Sequence, residues 1–457
     1  MFFPRAAAFS SLLLLVHRSI AIEVDINDVQ SISDAAKTIA SQVMYYYGGD
    51  KPGNIPGLLP DPYYWWESGL AHDSLIKYWA KTGDDMYNDQ ITEGMLFQVG
   101  PDNNFMPPNQ STSIGNDDQS TWALASMTAA ENGFPELPSD SGIDSWLQFA
   151  QNVFDNQVAR WQGEIEDKTC GGGLRWQIYS FNNGYDYKNA MSNGNFLQLA
   201  ARLARYTGNQ TYSNWARTAS NWSFDIGLIE KDTFGVYDGT FVSQDCKKPN
   251  QVQWSANLGR YMEGYAYLTN ASTIREYQDY SASMVEHALE VFAPEGNNLS
   301  ETACQARDNC NVDQLAYRSI LARALATTRA MDASTSDAIT PVLQASALGA
   351  AAQCSGGKDG TTCGSDWAST KWDKSQGLGQ DLSALEILLA NIPEKQVSTV
   401  NGTSTSGRPG TPTGSSTSAS GSLSATPLPP ASSGALGQMA SMFGLLAALG
   451  LAVILSP

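Results

Sequence analysis

The chain has 457 residues, of which 27 are Lys or Arg and 46 are Asp or Glu, and its formal net charge is −19. A chain this acidic has no basic surface with which to neutralise phosphates, which argues against nucleic acid and anionic lipid as partners. Only three histidines are present, which argues against a Ser-His-Asp triad and against a transition-metal site with histidine ligands. We therefore expect no metal and no cofactor, and any chemistry has to depend on carboxylates.

Residues 1–21 have the layout of a secretory signal peptide. Arg5 precedes the apolar run at 12–16, and the small-x-small pattern Ser19-Ile20-Ala21, which suits signal peptidase, follows that run. The sequence therefore predicts cleavage directly after this pattern and secretion of the mature protein. The folded domain is expected to span residues 22–396, which is long enough for a large hydrophobic core.

Apolar residues spaced three and four apart predict twelve helices in the folded domain. They are expected near 28–47, 68–82, 85–99, 117–132, 142–161, 192–207, 211–229, 254–269, 272–292, 313–328, 334–353 and 377–391. No convincing alternating strands or Asn-Gly hairpins link them, so the predicted fold class is all-α.

Two turns of similar sequence indicate that the helices come in pairs. Thr82-Gly83-Asp84 and Thr207-Gly208-Asn209 each close one helix and cap the next. Six such hairpins would close into a ring, which predicts an (α/α)6 toroid. Its inner helices would begin near positions 68, 117, 193, 255, 313 and 378. The loops that lead into those helices would gather at one mouth of the barrel.

Asp117 and Asp118 lie where a Gly-Asn turn meets the fourth predicted helix. One interpretation is structural, because Asn116 as N-cap with Gln119 three residues later resembles a capping box, and acidic residues are favoured in a first turn. The other interpretation is catalytic. Hydrolysis of a glycosidic bond with retention needs two carboxyl groups about 5 to 5.5 Å apart, which neighbours in a first turn can provide. Their mutual repulsion would keep one protonated as the acid.

Aromatic and polar side chains are concentrated in the loops that lead into the predicted inner helices. The chain contains 12 Trp and 19 Tyr, and flat aromatic faces pack against the C–H patches of sugar rings while polar groups bind the hydroxyls. Trp122, Trp146 and Trp215 lie within helical stripes and are assigned to the core. The loop aromatics near the Asp pair indicate a saccharide-binding groove at the mouth.

Six cysteines in a secreted chain predict three disulfides. Of the fifteen connectivities that six thiols allow, we predict the one in which nearest neighbours pair, giving Cys170–Cys246, Cys304–Cys310 and Cys354–Cys363. Sequons for N-glycosylation agree with a secreted glycoprotein. They occur at Asn109, Asn209, Asn221, Asn270, Asn298 and Asn401.

The C-terminal part of the sequence resembles a stalk followed by a lipid-attachment signal. Residues 397–433 are almost only Ser, Thr, Gly, Pro and Ala, a composition that cannot build a packed core. The apolar run at 442–455 is preceded by small residues and followed by no Lys or Arg. This layout predicts a GPI signal at 434–457 with attachment at Ser433, in preference to a short transmembrane tail. We expect the mature protein at the external face of the plasma membrane.

Four segments of the chain resemble glycoside hydrolase family 76. They are the region of Trp65-Trp66, Gly115-Asn116-Asp117-Asp118-Gln119, Cys170-Gly171-Gly172-Gly173-Leu174-Arg175-Trp176, and residues 185–194. The resemblance spans the folded domain and is nearest to the fungal GPI-anchored branch of mannan endo-1,6-α-mannosidases. It implies an (α/α)6 barrel, a substrate with α-1,6-linked mannose, Asp117 as nucleophile and Asp118 as general acid and base.

The same resemblance suggests which residues bind the sugar. The candidates are Tyr64, Trp66, Trp176, Lys188, Asn189, Asn193, Tyr237, Asp238 and Trp254. For Lys188 and Asp238 the alternative is a solvated or salt-bridged loop charge. The implied partners are an α-1,6-mannan or GPI-glycan donor and a β-glucan acceptor, with the protein acting as a monomer. A competing hypothesis is a wall-bound mannan-binding protein without turnover, in which the Asp pair only caps its helix.

Overall fold

The structure is a computed structural model that describes residues 21–139, 141–272, 274–294 and 298–393. All but the last residue of the predicted signal peptide lies outside these ranges. The predicted stalk at 397–433, Asn401, Ser433 and the predicted GPI signal at 434–457 also lie outside them.

The described ranges contain twelve α-helices. They are α1 Val29–Tyr46, α2 Trp65–Thr82, α3 Asn88–Gln98, α4 Asn116–Asn132, α5 Trp146–Glu166, α6 Ala190–Thr207, α7 Gln210–Asp225, α8 Ser255–Ala271, α9 Arg275–Phe292, α10 Val312–Met331, α11 Ser336–Gln353 and α12 Leu378–Leu389. All twelve predicted helices are confirmed. The largest difference is at α5, which begins after Ser145 rather than at residue 142 and continues to Glu166.

Alternate helices form a closed inner ring. In chain order α2, α4, α6, α8, α10 and α12 each pack against the next, and α12 packs against α2. The other six helices lie outside the ring, with α1 against α12 and each of α3, α5, α7, α9 and α11 against the inner helix that precedes it. The predicted (α/α)6 toroid and the all-α fold class are therefore confirmed.

The inner helices are buried around their whole circumference, whereas the outer helices bury one face. Every residue of α12 is buried, while α7 buries only the stripe that includes Tyr212, Ala216 and Trp222. The helix-ending glycines of the two repeated turns, Gly83 and Gly208, have φ angles of 83° and 71°. This left-handed conformation is the one that a helix C-cap favours, and glycine adopts it without steric cost.

Two buried arginines of the inner ring are paired with carboxylates of other inner helices. Arg323 of α10 forms ion pairs with Asp73 of α2 and Glu386 of α12. Arg202 of α6 pairs with Glu131 of α4 at 2.9 Å. These ion pairs therefore join different helices of the inner ring. Removing one partner of such a buried pair would leave an uncompensated charge inside the ring.

The predicted disulfide pairing is confirmed. Cα–Cα distances are 5.8 Å for Cys170–Cys246, 4.9 Å for Cys304–Cys310 and 3.8 Å for Cys354–Cys363. Among the sequon asparagines Asn298 is half-buried, and the exposed ones are Asn109, Asn209, Asn221 and Asn270. In the part of the chain that the structure describes, no helix is both long and apolar enough to cross a membrane.

A small antiparallel sheet at the mouth was not expected from the sequence. It pairs β1 Tyr187–Asn189 with β2 Gly239–Phe241. Strands of three residues are too short to show an alternating pattern. The segment at Trp176 and Gln177 lies between this sheet and the start of α4, because Trp176 N donates to the carbonyl of Tyr187 and Gln177 forms a bridge with Gly115. These segments build one side of the mouth.

Candidate active site

A cleft of about 670 Å³ opens at the mouth of the barrel, lined by the loops into the inner helices and by their first turns. Eight of the eleven predicted site residues line it. They are Asp117, Asp118, Tyr64, Trp66, Trp176, Asn189, Asp238 and Trp254.

The Asp pair lies in the first turn of α4, but in a different capping arrangement from the predicted one. The N-cap is Gly115, and Asp118 three residues later accepts a bond of 2.6 Å from its backbone N. Asn116 is not the cap: its side chain donates to the carbonyl of Arg175 at 2.9 Å and accepts from Arg160 at 2.8 Å. Asp118 therefore caps the helix and also faces the cleft, so the structural and catalytic interpretations are compatible.

The two carboxylates converge on one point beside Gly115. A β-carbon built on Gly115 would collide with Asp117 Oδ1 and would lie 2.9 Å from the carbonyl oxygen of Trp176 and 3.2 Å from Asp118 Oδ2. Both aspartate oxygens therefore lie close to one point, so the distance between them does not exceed the roughly 5 to 5.5 Å of a retaining pair.

The two aspartates hold their protons to different degrees. Burial raises the pKa of Asp117, and this rise is opposed by bonds from Asn189 Nδ2 at 2.6 Å and from the Asp118 backbone N at 3.0 Å. Burial and then the charge of Asp117 raise the pKa of Asp118 well above its usual range. With more donors around Asp117 than around Asp118, Asp117 is the easier of the two to ionise.

Asp313 is a third carboxylate of the cleft, and the sequence analysis missed it. Its Oδ1 accepts a bond of 2.8 Å from Trp66 Nε1, burial raises its pKa, and its charge raises the pKa of both Asp117 and Asp118. Asp313 holds the second position of α10, as Asp117 does in α4. This shared position in two inner helices is the feature of the sequence from which Asp313 could have been predicted as a site residue.

Aromatic rings form the walls around the carboxylates. Tyr317 lies between Trp66 and Trp254, with ring centroids 6.1 Å and 5.8 Å away. Trp176, 40% exposed, lines the cleft from the segment beside Gly115. Lining residues outside the predicted set of site residues include Tyr63, Gln177, Tyr187, Asn257, Asp313 and Tyr317.

Lys188 does not line the cleft. Successive side chains of a strand point to opposite faces, so Tyr187 and Asn189 line the cleft while Lys188 between them is fully buried. Its Nζ lies 3.0 Å from Glu164 Oε2 and donates to the carbonyl of Gly172 at 2.6 Å. Lys188 is therefore a salt-bridged charge, as in the alternative interpretation, and not a sugar contact in this structure. It anchors the glycine-rich segment before Trp176.

Asn193 and Tyr237 also lie outside the cleft lining. The side chain of Asn193 binds both the backbone N and the carbonyl of Leu174, at 2.8 and 2.9 Å, and is fully buried one turn below Asn189. Tyr237 is half-buried against the core. Its neighbour Asp238 does reach the cleft, where it accepts a bond of 2.7 Å from the Tyr187 hydroxyl. Asn193 fixes a segment that shapes the site.

The cleft is acidic. Among its described lining residues are five aspartates, at 61, 117, 118, 238 and 313, and no Lys, Arg or His. Because these lining residues include no basic side chain that could pair with an anion, the cleft favours neutral or cationic ligands. No group of three or more His, Cys, Asp or Glu in the described ranges could hold a metal ion, and the expectation of metal-free chemistry stays a prediction. A helical toroid whose mouth holds a pair of neighbouring aspartates among aromatic rings has the architecture of a glycosidase.

Comparison with known proteins agrees with this assignment to the glycosidases. The Glycosyl hydrolase family 76 profile matches residues 31–403. The mannan endo-1,6-alpha-mannosidase DCW1 of Saccharomyces cerevisiae is 42% identical over 370 residues, 81% of each chain. The crystal structure of Dfg5 from Chaetomium thermophilum in complex with glucosamine is 38% identical, with a TM-score of 0.76 over 80% of this chain and 92% of that one. The chain belongs to glycoside hydrolase family 76 and is a glycosidase.

A more distant structure shares the fold. It is an inactive variant of the α-1,6-mannanase GH76A of Salegentibacter sp., in which two aspartates are changed to asparagine, in complex with α-1,6-mannotriose. It is 17% identical to this chain, with a TM-score of 0.62 over 79% of this chain and 99% of that one.

Proposed function

We propose that the protein is a retaining, endo-acting α-1,6-mannosidase that also transfers the cleaved glycan to an acceptor. The observation that carries the proposal is the pair Asp117 and Asp118, which converge on one point and differ in how firmly they hold a proton. A retaining glycosidase needs an ionised nucleophile and a protonated acid in this arrangement. The inactive aspartate variant of the Salegentibacter mannanase supports an essential role for aspartates.

The proposed reaction has two displacement steps. Asp118 donates its proton to the glycosidic oxygen while a carboxylate oxygen of Asp117 attacks the anomeric carbon, so the leaving sugar departs as an alcohol and a mannosyl ester forms on Asp117. Asp118, now ionised, then removes a proton from the acceptor hydroxyl, whose oxygen displaces Asp117 and restores the original configuration. The hydrogen bond from Asn189 holds the Asp117 carboxylate in place in both displacement steps.

The substrate follows from the relatives and from the charge of the cleft. The Saccharomyces relative is named a mannan endo-1,6-alpha-mannosidase, and the Salegentibacter mannanase binds α-1,6-mannotriose. An acidic cleft suits a neutral mannan, and it also suits a glycan with a protonated amino sugar such as the glucosamine bound to the Chaetomium protein. An α-1,6-mannan or a GPI glycan is therefore the proposed donor.

The acceptor decides the biological outcome. If water attacks the mannosyl ester, the enzyme shortens mannan. If a β-glucan hydroxyl attacks, the donor glycan and any protein it carries become joined to the cell-wall polymer during wall biogenesis. The predicted signal peptide, stalk and GPI attachment at Ser433 would place the enzyme, as a monomer, beside GPI-linked donors at the outer face of the membrane. This placement favours transfer.

The test compares products with and without an acceptor. The purified protein is incubated with an α-1,6-mannose-containing GPI glycan analogue, with or without a β-1,3-glucan oligosaccharide, and the products are resolved by mass. We expect a mannosyl-glucan product only when the acceptor is present. A shortened donor alone would restrict the function to hydrolysis, and a bound but uncleaved donor would favour the mannan-binding hypothesis.

Variants connect the product to the Asp pair. Asp117→Asn and Asp118→Ala should each remove product formation. The matched control is Asp89→Asn, because Asp89 is an exposed aspartate in the first turn of α3 and should not affect turnover. Turnover at the wild-type rate in Asp117→Asn would refute the assignment.

A further inference from the structure

The loop at 177–186 presents an exposed aromatic pair beside the cleft. Tyr179 and Phe181 stack with ring centroids 5.3 Å apart and an angle of 5° between their planes. Phe181 is 72% exposed, one of the most exposed large apolar side chains of the described chain. A stacked pair whose outer face is open to solvent forms a flat apolar platform, which the catalytic proposal does not use.

This loop is fixed to the catalytic apparatus. Ile178 N donates to the carbonyl of Ile114, directly before Gly115. Gly184, at φ 95°, packs so closely on the ring of Trp176 that a β-carbon there would collide with it. Arg175 lies 4.3 Å above the ring of Tyr185. Because both ends of the loop are anchored, the platform holds a defined position relative to the cleft.

The loop begins beside Asp118, the residue proposed as acid and base. Asp118 is bonded to Gly115 N, and Gly115 pairs with Gln177 at the start of the loop. In a retaining mechanism the acid and base residue acts on the leaving-group oxygen and later on the acceptor oxygen, which occupy the same subsite. Trp176 and Gln177 line the cleft, and Tyr179 and Phe181 follow them closely in the chain, so an acceptor that extends out of this subsite past Trp176 would have the aromatic pair within reach.

We propose that the Tyr179–Phe181 pair is a binding platform for the acceptor, a β-linked glucan chain. This inference rests on the proposed function. In β-linked glucose the ring hydroxyls are equatorial, so each ring presents axial C–H bonds on its faces, and these pack on an aromatic ring. Mannose carries an axial hydroxyl that interrupts one such face. The platform therefore fits glucan better than the mannan of the donor.

The test measures acceptor kinetics in the Phe181→Ala variant of the full protein. With the donor held constant, the KM for a β-1,3-glucan oligosaccharide should rise about tenfold, the scale expected for losing one aromatic stacking contact. At low acceptor concentration the ratio of transfer to hydrolysis products should fall by a similar factor. The control is Phe97→Ala, because Phe97 is 53% exposed on α3 and lies outside the cleft lining.

The outcomes separate this inference from the proposed function. If the wild-type enzyme makes transfer product and Phe181→Ala behaves like Phe97→Ala, the platform assignment is wrong. It is also wrong if the KM for the mannan donor rises as much as the KM for the glucan. If the wild-type enzyme cleaves no donor, the proposed function fails. Calorimetric binding of the glucan oligosaccharide to the wild type and to Phe181→Ala then tests the platform alone, and equal affinities would overturn it.

Discussion

Gly115 leaves no room for a side chain between the two proposed catalytic carboxylates. A β-carbon at this position would displace Asp117 or the carbonyl of Trp176. We predict that Gly115→Ala lowers kcat on a mannan oligosaccharide by about 100-fold, because a shift of about 1 Å in reacting groups has an effect of this size. Steady-state kinetics measures the change.

Gly163→Ala on α5 is the matched control for this prediction. A β-carbon at Gly163 would meet nothing within 4 Å, and alanine is the better helix former. This variant should keep the wild-type kcat. An unchanged kcat in Gly115→Ala would show that the carboxylates do not need their present spacing.

Asn189 governs the charge of the proposed nucleophile. Burial raises the pKa of Asp117, and the bond from Asn189 Nδ2 opposes this rise. Because activity is lost as pH falls through the pKa of a nucleophile that must be ionised, Asn189→Ala should move the acidic limb of kcat/KM to higher pH. We expect a shift of about one pH unit, from a charge-assisted hydrogen bond of about 1.5 kcal/mol.

The control for the Asn189 prediction is another helix cap. Asp28 caps α1 by accepting from Gln30 N, as Asn189 caps α6 by accepting from Ser192 N. Both replacements by alanine should lower stability by about 1 kcal/mol, but Asp28→Ala should leave the pH profile in place. Coincident pH profiles for all three proteins would contradict the role given to Asn189.

Residue types and loop positions were sufficient to predict most of the cleft. Asp117, Asp118 and the loop aromatics stand out because their chemistry is unusual for a turn. The face of the sheet to which the Lys188 side chain points was not predictable, because it depends on the register of a strand of three residues, which is too short to show an alternating pattern in the sequence. Asp313 was missed because an acidic residue in a helix's first turn is ordinary on its own.

At the scale of elements, the ammonium of Lys188 joins β1 to the C-terminal end of α5. Burial lowers the pKa of Lys188 to about 8, against the opposing charge of Glu164. Replacing it with Met leaves the carboxylate of Glu164 with Arg175 as its remaining ionic partner, at 2.6 Å. We predict that Lys188→Met lowers the free energy of unfolding by about 2 kcal/mol, less than for a buried pair whose surviving charge has no partner, because Arg175 remains. Urea denaturation measures this loss.

The Lys188 prediction has an exposed counterpart. Lys247 pairs with Asp245 at 3.0 Å, but their side chains are 75% and 78% exposed, and such pairs contribute little. Lys247→Met should therefore unfold like the wild type. If Lys188→Met instead retained full stability and raised only the donor KM, Lys188 would be a sugar contact, as the family resemblance suggested.

At the scale of the whole molecule, the toroid was predictable because the apolar spacing marks twelve helices, and two similar turns, at Gly83 and Gly208, each join an inner helix to an outer one. Ring closure also depends on features that the sequence conceals. Arg323, Asp73 and Glu386 face the interior, although charged residues in helices normally indicate a solvated surface. The three disulfides match the prediction because each joins two consecutive cysteines of the chain.

Buried carboxyl groups near the mouth should make the fold less stable as pH rises. Burial raises the pKa of Glu67 to about 8 and those of Glu301 and Asp381 to about 7. Carboxyls of the unfolded chain ionise near pH 4. Between about pH 4 and 8 the folded state therefore binds more protons at these sites, so stability falls with rising pH. We predict a higher Tm at about pH 5 than at about pH 8.

Glu67→Gln tests the origin of this pH dependence. The amide cannot ionise, so the decrease in Tm between about pH 5 and pH 8 should become smaller. Glu93→Gln, at an exposed position of α3, should keep the wild-type decrease. A Tm that increases over this range, or equal slopes in the two variants, would contradict the assignment.

Double displacement at Asp117 and Asp118 determines the anomeric configuration of the first-formed product. The wild-type enzyme is mixed with an α-1,6-mannan oligosaccharide, and proton NMR spectra are recorded before mutarotation. We predict that the α-anomer appears first and that no product forms with Asp117→Asn. A β-anomer formed first would mean a single displacement by water, and Asp117 would then not be a covalent nucleophile.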